Sequence, residues 1–159
     1  MKNLVAPVLT ALIAAVSSVI CARLSIPVWV MFIGWIAFVA GGMSKKTAVP
    51  TFLCAVLGVL LGFIGAWTIG AATNAVGADL ALLIGVFIIV LAALLAQHIA
   101  VINLVVCYFI GMTTFFASGL PPSGETGVLL LAGLFAGVLS GLLAVTLSSL
   151  AVGASNEAG

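Results

Sequence analysis

Charge is what this sequence lacks most. Only 4% of its 159 residues are Asp, Glu, Lys or Arg, where a soluble domain carries roughly 25%. The full set is Lys2, Arg23, Lys45, Lys46, Asp79, Glu125 and Glu157. None falls between Lys46 and Asp79, or between Asp79 and Glu125. Without a polar shell, a chain that is 65% hydrophobic has lipid as its solvent. The net charge of +1 leaves no electrostatic footprint for nucleic acid. Histidine occurs once, as His98, and cannot build a metal site alone. Cysteine occurs at Cys21, Cys54 and Cys107, in apolar stretches and without Cys-x-x-Cys spacing. These read as small buried hydrophobes, not as a disulfide framework or metal site. No phosphate-cradling Gly-rich loop, dinucleotide fingerprint or His-Glu-x-x-His occurs, so no cofactor is expected. Acid/base work needs ionisable groups on one face, and the apolar runs hold no charge. The chain is therefore not expected to be an enzyme.

What is present is a series of long apolar runs. A membrane crossing takes about 20 residues for about 30 Å of hydrocarbon. Six spans fit the punctuation, in a single membrane domain over residues 1–159. Span one covers about 4–22 and ends at Arg23; Lys2 before it resembles a signal peptide, but further apolar segments follow at once. Span two covers about 27–42, with Pro27 in its first turn. Span three covers about 48–70, with Pro50 in its first turn, and a loop at 73–79 follows. Residues 80–117 as one helix would run about 57 Å at about 1.5 Å per residue, too long for one crossing. The polar pair Gln97-His98 places a turn there, giving span four at about 80–96 and span five at about 101–118. Span six covers about 127–151, after the turn-rich segment 118–127.

The chain repeats itself. FIGWIAFVAGG at 32–42 and FIGMTTFFASG at 109–119 share six of eleven positions at an offset of 77. Gly58-Val59-Leu60 with Gly62 recurs as Gly137-Val138-Leu139 with Gly141, at an offset of 79. Spans two and three correspond well to five and six, and span one only weakly to span four; together spans one to three (about 4–70) and four to six (about 80–151) read as two copies. Three crossings is an odd number, so the second copy enters the membrane from the opposite side. The expected fold is an all-α integral membrane protein of six transmembrane helices in two inverted three-helix repeats. Lys2, Lys45 and Lys46 fall on one side and Arg23 alone on the other. That favours both termini in the cytoplasm.

The repeated segment supplies the pathway-lining candidates Phe32, Trp35, Phe38, Phe109, Thr113, Thr114 and Phe115. Phe32 and Phe109 are expected to face each other near the midplane. Rings of this kind form hydrophobic constrictions, but any one of these aromatics taken singly suits helix packing or lipid better. Trp29 suits an interfacial anchor. Gly58, Gly62, Gly133, Gly137 and Gly141 are small-xxx-small positions for close helix packing. The partner expected for span six is span three or a neighbouring subunit. Ser140, Ser148 and Ser149 are expected to bond to their own helix. His98 is a turn or headgroup-level residue, and Asn103 a cap for span five.

The FIGW…AGG segment, the short basic loop after it and six apolar spans resemble the YcdZ-like inner-membrane proteins of bacteria. That resemblance implies a bacterial inner-membrane location and no particular activity. In size the chain is also similar to small urea and acetate channels built from six-helix protomers. It lacks the Asn-Pro-Ala-Pro segment typical of the acetate group, so no residue is carried over. A path without charge suits a small neutral solute, whereas proton-coupled carriers typically place ionisable groups inside the membrane. The expectation is a small-solute channel or facilitator acting as a homo-oligomer in the bilayer. The alternatives are an alternating-access transporter and a non-transporting scaffold or accessory subunit.

Overall fold

The computed structural model describes residues 4–157, and the side chains of residues 4–151. Lys2 therefore lies outside the described residues. Those residues form α1 (Val5–Arg23), α2 (Val28–Ala40), α3 (Lys45–Val76), α4 (Ala78–Ala96), α5 (Val105–Ser118) and α6 (Gly124–Glu157). Four of them, α1, α3, α4 and α6, are long and apolar enough to cross a membrane. The others, α2 and α5, are apolar but have only 13 and 14 residues, about 20 Å each. Leu12, Trp67, Leu83, Phe87 and Val128 all stand exposed on the bundle. An apolar surface this extensive does not face water; the bundle is that of a membrane-spanning protein.

Helix boundaries follow local chemistry, and several differ from the sequence expectation. Ser44 and Thr47 form a capping box, with Thr47 N–H donating to Ser44 Oγ at 3.2 Å. This starts α3 at Lys45 instead of 48, so Pro50 falls in its second turn and not its first. The expected loop at 73–79 shrinks to Gly77 alone, whose φ of +84° reverses the chain in one residue. Thr73, which looks like loop composition, gives its hydroxyl to Ile69 O at 2.6 Å inside the helix. Ser123 Oγ accepts from Thr126 N–H at 3.2 Å, which starts α6 at Gly124. The turn at Gln97-His98 is where it was expected, but it extends to Leu104, and α5 begins at Val105. Asn103 does not cap α5: the cap residue is Leu104, with no side-chain bond. Gly42 (φ +101°) and Gly119 (φ +64°) close α2 and α5 in a backbone region that favours glycine.

Contacts between named residues fix the helix directions. Val30 meets Gly133 and Phe38 meets Gly141, so α2 and α6 run parallel. Gly58 meets Tyr108 and Gly62 meets Phe115, so α3 and α5 run parallel. Phe63 meets Gly127, and Phe52 lies 5.5 Å from Phe135, so α3 and α6 are antiparallel. Ser17 bonds Ser140 and Thr10 bonds Ser148, so α1 is antiparallel to α6. Ile89 sits on Gly65 and Ile69 on Gly85, so α4 is antiparallel to α3. Each helix therefore reverses the one before it. The principal neighbours are α3 with α5 and α4, and α6 with α2 and α1.

The short helices are the inner ones. Val30, Met31, Gly34, Ala37 and Phe38 of α2 are buried, as are Cys107, Tyr108, Gly111, Met112, Thr114 and Phe115 of α5. By contrast, α1 buries only Cys21.

Candidate functional site

Two helix crossings form the centre, and both are built on glycine. At the α2–α6 crossing, a side chain on Gly34 would run into the Leu134 carbonyl, and one on Gly137 into the Met31 carbonyl. At the α3–α5 crossing, Gly111 faces the Ala55 carbonyl and Gly58 the Tyr108 carbonyl. Backbone touches backbone, which only a residue without Cβ permits. One turn further on, a Cβ at Gly141 would lie 2.6 Å from the Phe38 ring, and one at Gly62 would lie 2.7 Å from the Phe115 ring. Gly137 and Gly141 thus meet α2, where the sequence suggested α3 or a neighbouring subunit as the partner of α6. Gly133 meets Val30 in the same seam.

The two crossings correspond contact by contact. Gly34 and Gly111, Met31 and Tyr108, and Phe38 and Phe115 are each 77 residues apart. Ala55 and Leu134, Gly58 and Gly137, and Gly62 and Gly141 are each 79 apart. Each of these approaches in one crossing therefore has its counterpart in the other, while Gly133 with Val30 falls on Cys54 and Cys107.

The aromatics divide by helix face. Phe38 and Phe115 are buried in the centre, Phe115 packing edge-on against Phe63 at 4.7 Å. Phe32 and Phe109 are 45% and 39% exposed and stand on the outside of the bundle. Neither enters a close ring pair, so the expected contact between them is not made. The reason is helical geometry. Six residues at about 100° each leave Phe32 about 120° round from Phe38, so the two cannot share an inward face. Trp35 is half-buried and Trp29 is exposed at the start of α2.

Hydroxyls divide likewise. Thr113 is exposed; Thr114 is buried and donates to Ile110 O at 2.8 Å. Ser140 and Ser149 bond within α6, to Ala136 O and Thr146 O. Ser140 also bonds Ser17 at 2.8 Å, and Ser148 reaches across to α1, to Thr10 at 3.4 Å and Ala6 O at 3.5 Å. His98 and Asn103 are exposed in the α4–α5 connection.

Sequence reasoning missed Thr51. It is fully buried on α3 against Gly41, and its Oγ1 has no hydrogen-bond partner. The Cys107 thiol lies beside it, but sulfur is a weak acceptor, and that thiol itself donates to Ala37 O at 3.8 Å. A lone threonine in an apolar run carries no signal of this kind. Gly34 and Gly111 were also missed as packing residues, although both lie in the repeated FIG triplet. The three cysteines are free, and no group of three or more His, Cys, Asp or Glu side chains gathers among the described residues.

Fold and crossings together define a six-helix, membrane-spanning bundle whose inner helices are tied by paired glycine seams. The chain belongs to the family described as "Protein of unknown function (DUF1097)", which matches residues 7–154. No curated protein and no solved structure matches it.

Proposed function

We propose that this protein lets a small neutral solute, or the neutral form of one, cross the bacterial inner membrane. On this reading α1–α3 and α4–α6 are inverted copies related by a two-fold axis through the α3–α6 and α2–α5 contacts. The observation that carries it is the matched set of glycine contacts at offsets of 77 and 79. The antiparallel course of α3 and α6, which would be equivalent helices, supports an axis lying in the membrane plane. Inverted copies place a substrate path near the midplane between the halves. The path would follow the α2–α5 pair, with Phe38 and Phe115 in place of Phe32 and Phe109 as the rings that narrow it.

The absence of charge from the apolar segments supports a neutral solute. A neutral molecule needs no counter-charge, whereas an ionic one in hydrocarbon does. The mechanism is non-enzymatic and calls on no cofactor. Both termini lie in the cytoplasm, and the protein works as a homo-oligomer, because six helices with two so short enclose little interior of their own. The test is stopped-flow swelling of proteoliposomes with urea, glycerol, ammonia and short-chain acids. Faster relaxation than in empty liposomes for one of these supports the reading. No acceleration for any of them leaves a scaffold or accessory subunit as the better description.

A further inference from the structure

Phe38 and Phe115 occupy opposite ends of one antiparallel helix pair. Cys107, at the start of α5, reaches Ala37 O near the end of α2, so Phe38 lies level with the α5 N-terminus. Phe115, near the end of α5, clusters with Val30 at the start of α2. Each ring leans on a glycine of its own seam, Phe38 on Gly141 and Phe115 on Gly62. Each also presses on the other seam: Phe38 packs with Ala48 of α3, and Phe115 with Leu130 and Leu134 of α6. Within a seam, backbone meets backbone and movement is blocked. Between seams the named contacts all run through a side chain, as in Phe52 with Phe135 and Thr51 with Gly41. The molecule is thus two tight pairs, α2 with α6 and α3 with α5, joined by softer contacts.

We propose that Phe38 and Phe115 are twin gates of the same path and that they open in alternation. This rests on the proposed passage of a solute between inverted halves, and it favours a carrier over an open channel. Two rigid pairs that rock about an axis between the rings separate at one end as they close at the other. Lifting Phe115 off Leu130 and Leu134 therefore presses Phe38 onto Ala48, and the reverse. A bare glycine behind each ring leaves a smooth seat with no side chain to lock it. The groups between the gates are small, Gly34, Ala37, Ala55 and Gly111, and close-packed with both rings seated, so space for a solute of a few heavy atoms would open only as the pairs rock apart.

The test is sided chemical labelling. Cys21, Cys54 and Cys107 are replaced by Ala, and Ala55→Cys places one thiol between the rings. A membrane-impermeant maleimide is applied to right-side-out and to inside-out vesicles. Phe115→Ala should speed labelling only from the face that α5 reaches at Gly119. Phe38→Ala should speed it only from the opposite face, which holds the termini. A minor open state of about 0.1–10% made dominant raises the rate about tenfold or more. Phe→Leu at each position, with less loss of packing, should give the same sidedness at smaller amplitude, and size exclusion checks that each variant is folded. Both variants labelling from one face, or neither changing, overturns the alternation. Sided labelling without solute swelling would uphold the gates and reject the solute class, whereas swelling with side-blind labelling would do the opposite.

Discussion

Replacing Thr51 by valine should make this protein more stable. Thr51 is fully buried, and its Oγ1 has no hydrogen-bond partner. A helical threonine usually returns its proton to the carbonyl four residues back, as Thr114 does to Ile110 O at 2.8 Å. Thr51 does not. An unsatisfied hydroxyl in apolar surroundings costs about 1–3 kcal/mol. Valine keeps the branched shape and removes the unpaired group. The methyl must still fit against Gly41, where the hydroxyl already sits tightly, so part of the gain is lost to crowding. The net gain should be about 1–2 kcal/mol, or a Tm increase of about 2–8 °C at this chain length. Thermal unfolding in detergent, followed by tryptophan fluorescence, measures it. Thr51→Ala is the control, because it removes the hydroxyl and also opens a void. If valine lowers Tm as much as alanine does, the hydroxyl has a partner such as a bound water, and the reasoning fails. A group kept at a cost to stability points to use, so the same Thr51→Val should slow passage of a hydrogen-bonding solute. Unchanged flux in the stabilised variant would remove Thr51 from the path.

The matched crossings make paired predictions. Gly58→Ala and Gly137→Ala should destabilise by similar amounts, each about 1–3 kcal/mol or more because a methyl meets backbone; unequal losses in thermal unfolding would count against equivalence. Phe38→Ala and Phe115→Ala should each cost about 3–5 kcal/mol, while Phe32→Ala and Phe109→Ala, on the outside, should stay within about 0.5 kcal/mol and leave flux unchanged. A fluorescent reporter that matures only in the cytoplasm, fused after Gly159, should light up; an expressed but dark fusion would invert the orientation. Among the helices, α1 should be the first to lose amide protection in hydrogen exchange, and a uniform pattern across the six would show that its docking is not the weakest.

Much of the fold is legible in the sequence because its causes are local. Long uncharged runs define helices, and Gln97-His98 marks a turn because little else in that stretch is polar. Boundaries that slipped did so through single-residue chemistry. Gly77 reverses the chain alone, which makes a loop-like composition helical on both sides. The centre was less legible. Glycine spacing announces a close crossing but does not name the partner, since the matching surface lies far away in sequence. The three-residue spacing of Trp29, Phe32, Trp35 and Phe38 also winds round α2, so spacing alone cannot say which ring faces inward. Burial decided for Phe38, and by correspondence Phe115. An unpaired hydroxyl such as that of Thr51 depends on what surrounds it in three dimensions.

The correspondence between the halves stops at their first helices, and the way it stops has consequences for the gates. Against α6, α1 docks with hydroxyls: Ser17 on Ser140 at 2.8 Å and Thr10 on Ser148 at 3.4 Å. At the offset of 79, Ser140 and Ser148 correspond to Leu61 and Ile69, and Ile69 meets Gly85 of α4. Both sides of one interface are polar, and both sides of its counterpart are apolar. Hydroxyl bonds between helices in lipid contribute only about 0.6 kcal/mol each. The α4–α3 interface instead fits Ile69 onto Gly85 and Ile89 onto Gly65, and α4 buries Ala81, Gly85, Ile89 and Ala93 where α1 buries Cys21 alone. Identical halves would leave the two states of a rocking pair equal in energy. Halves braced this differently do not. The pair braced by α4, α3 with α5, is held more firmly than the pair braced by α1, α2 with α6. On the proposed mechanism that inequality sets which gate is closed at rest.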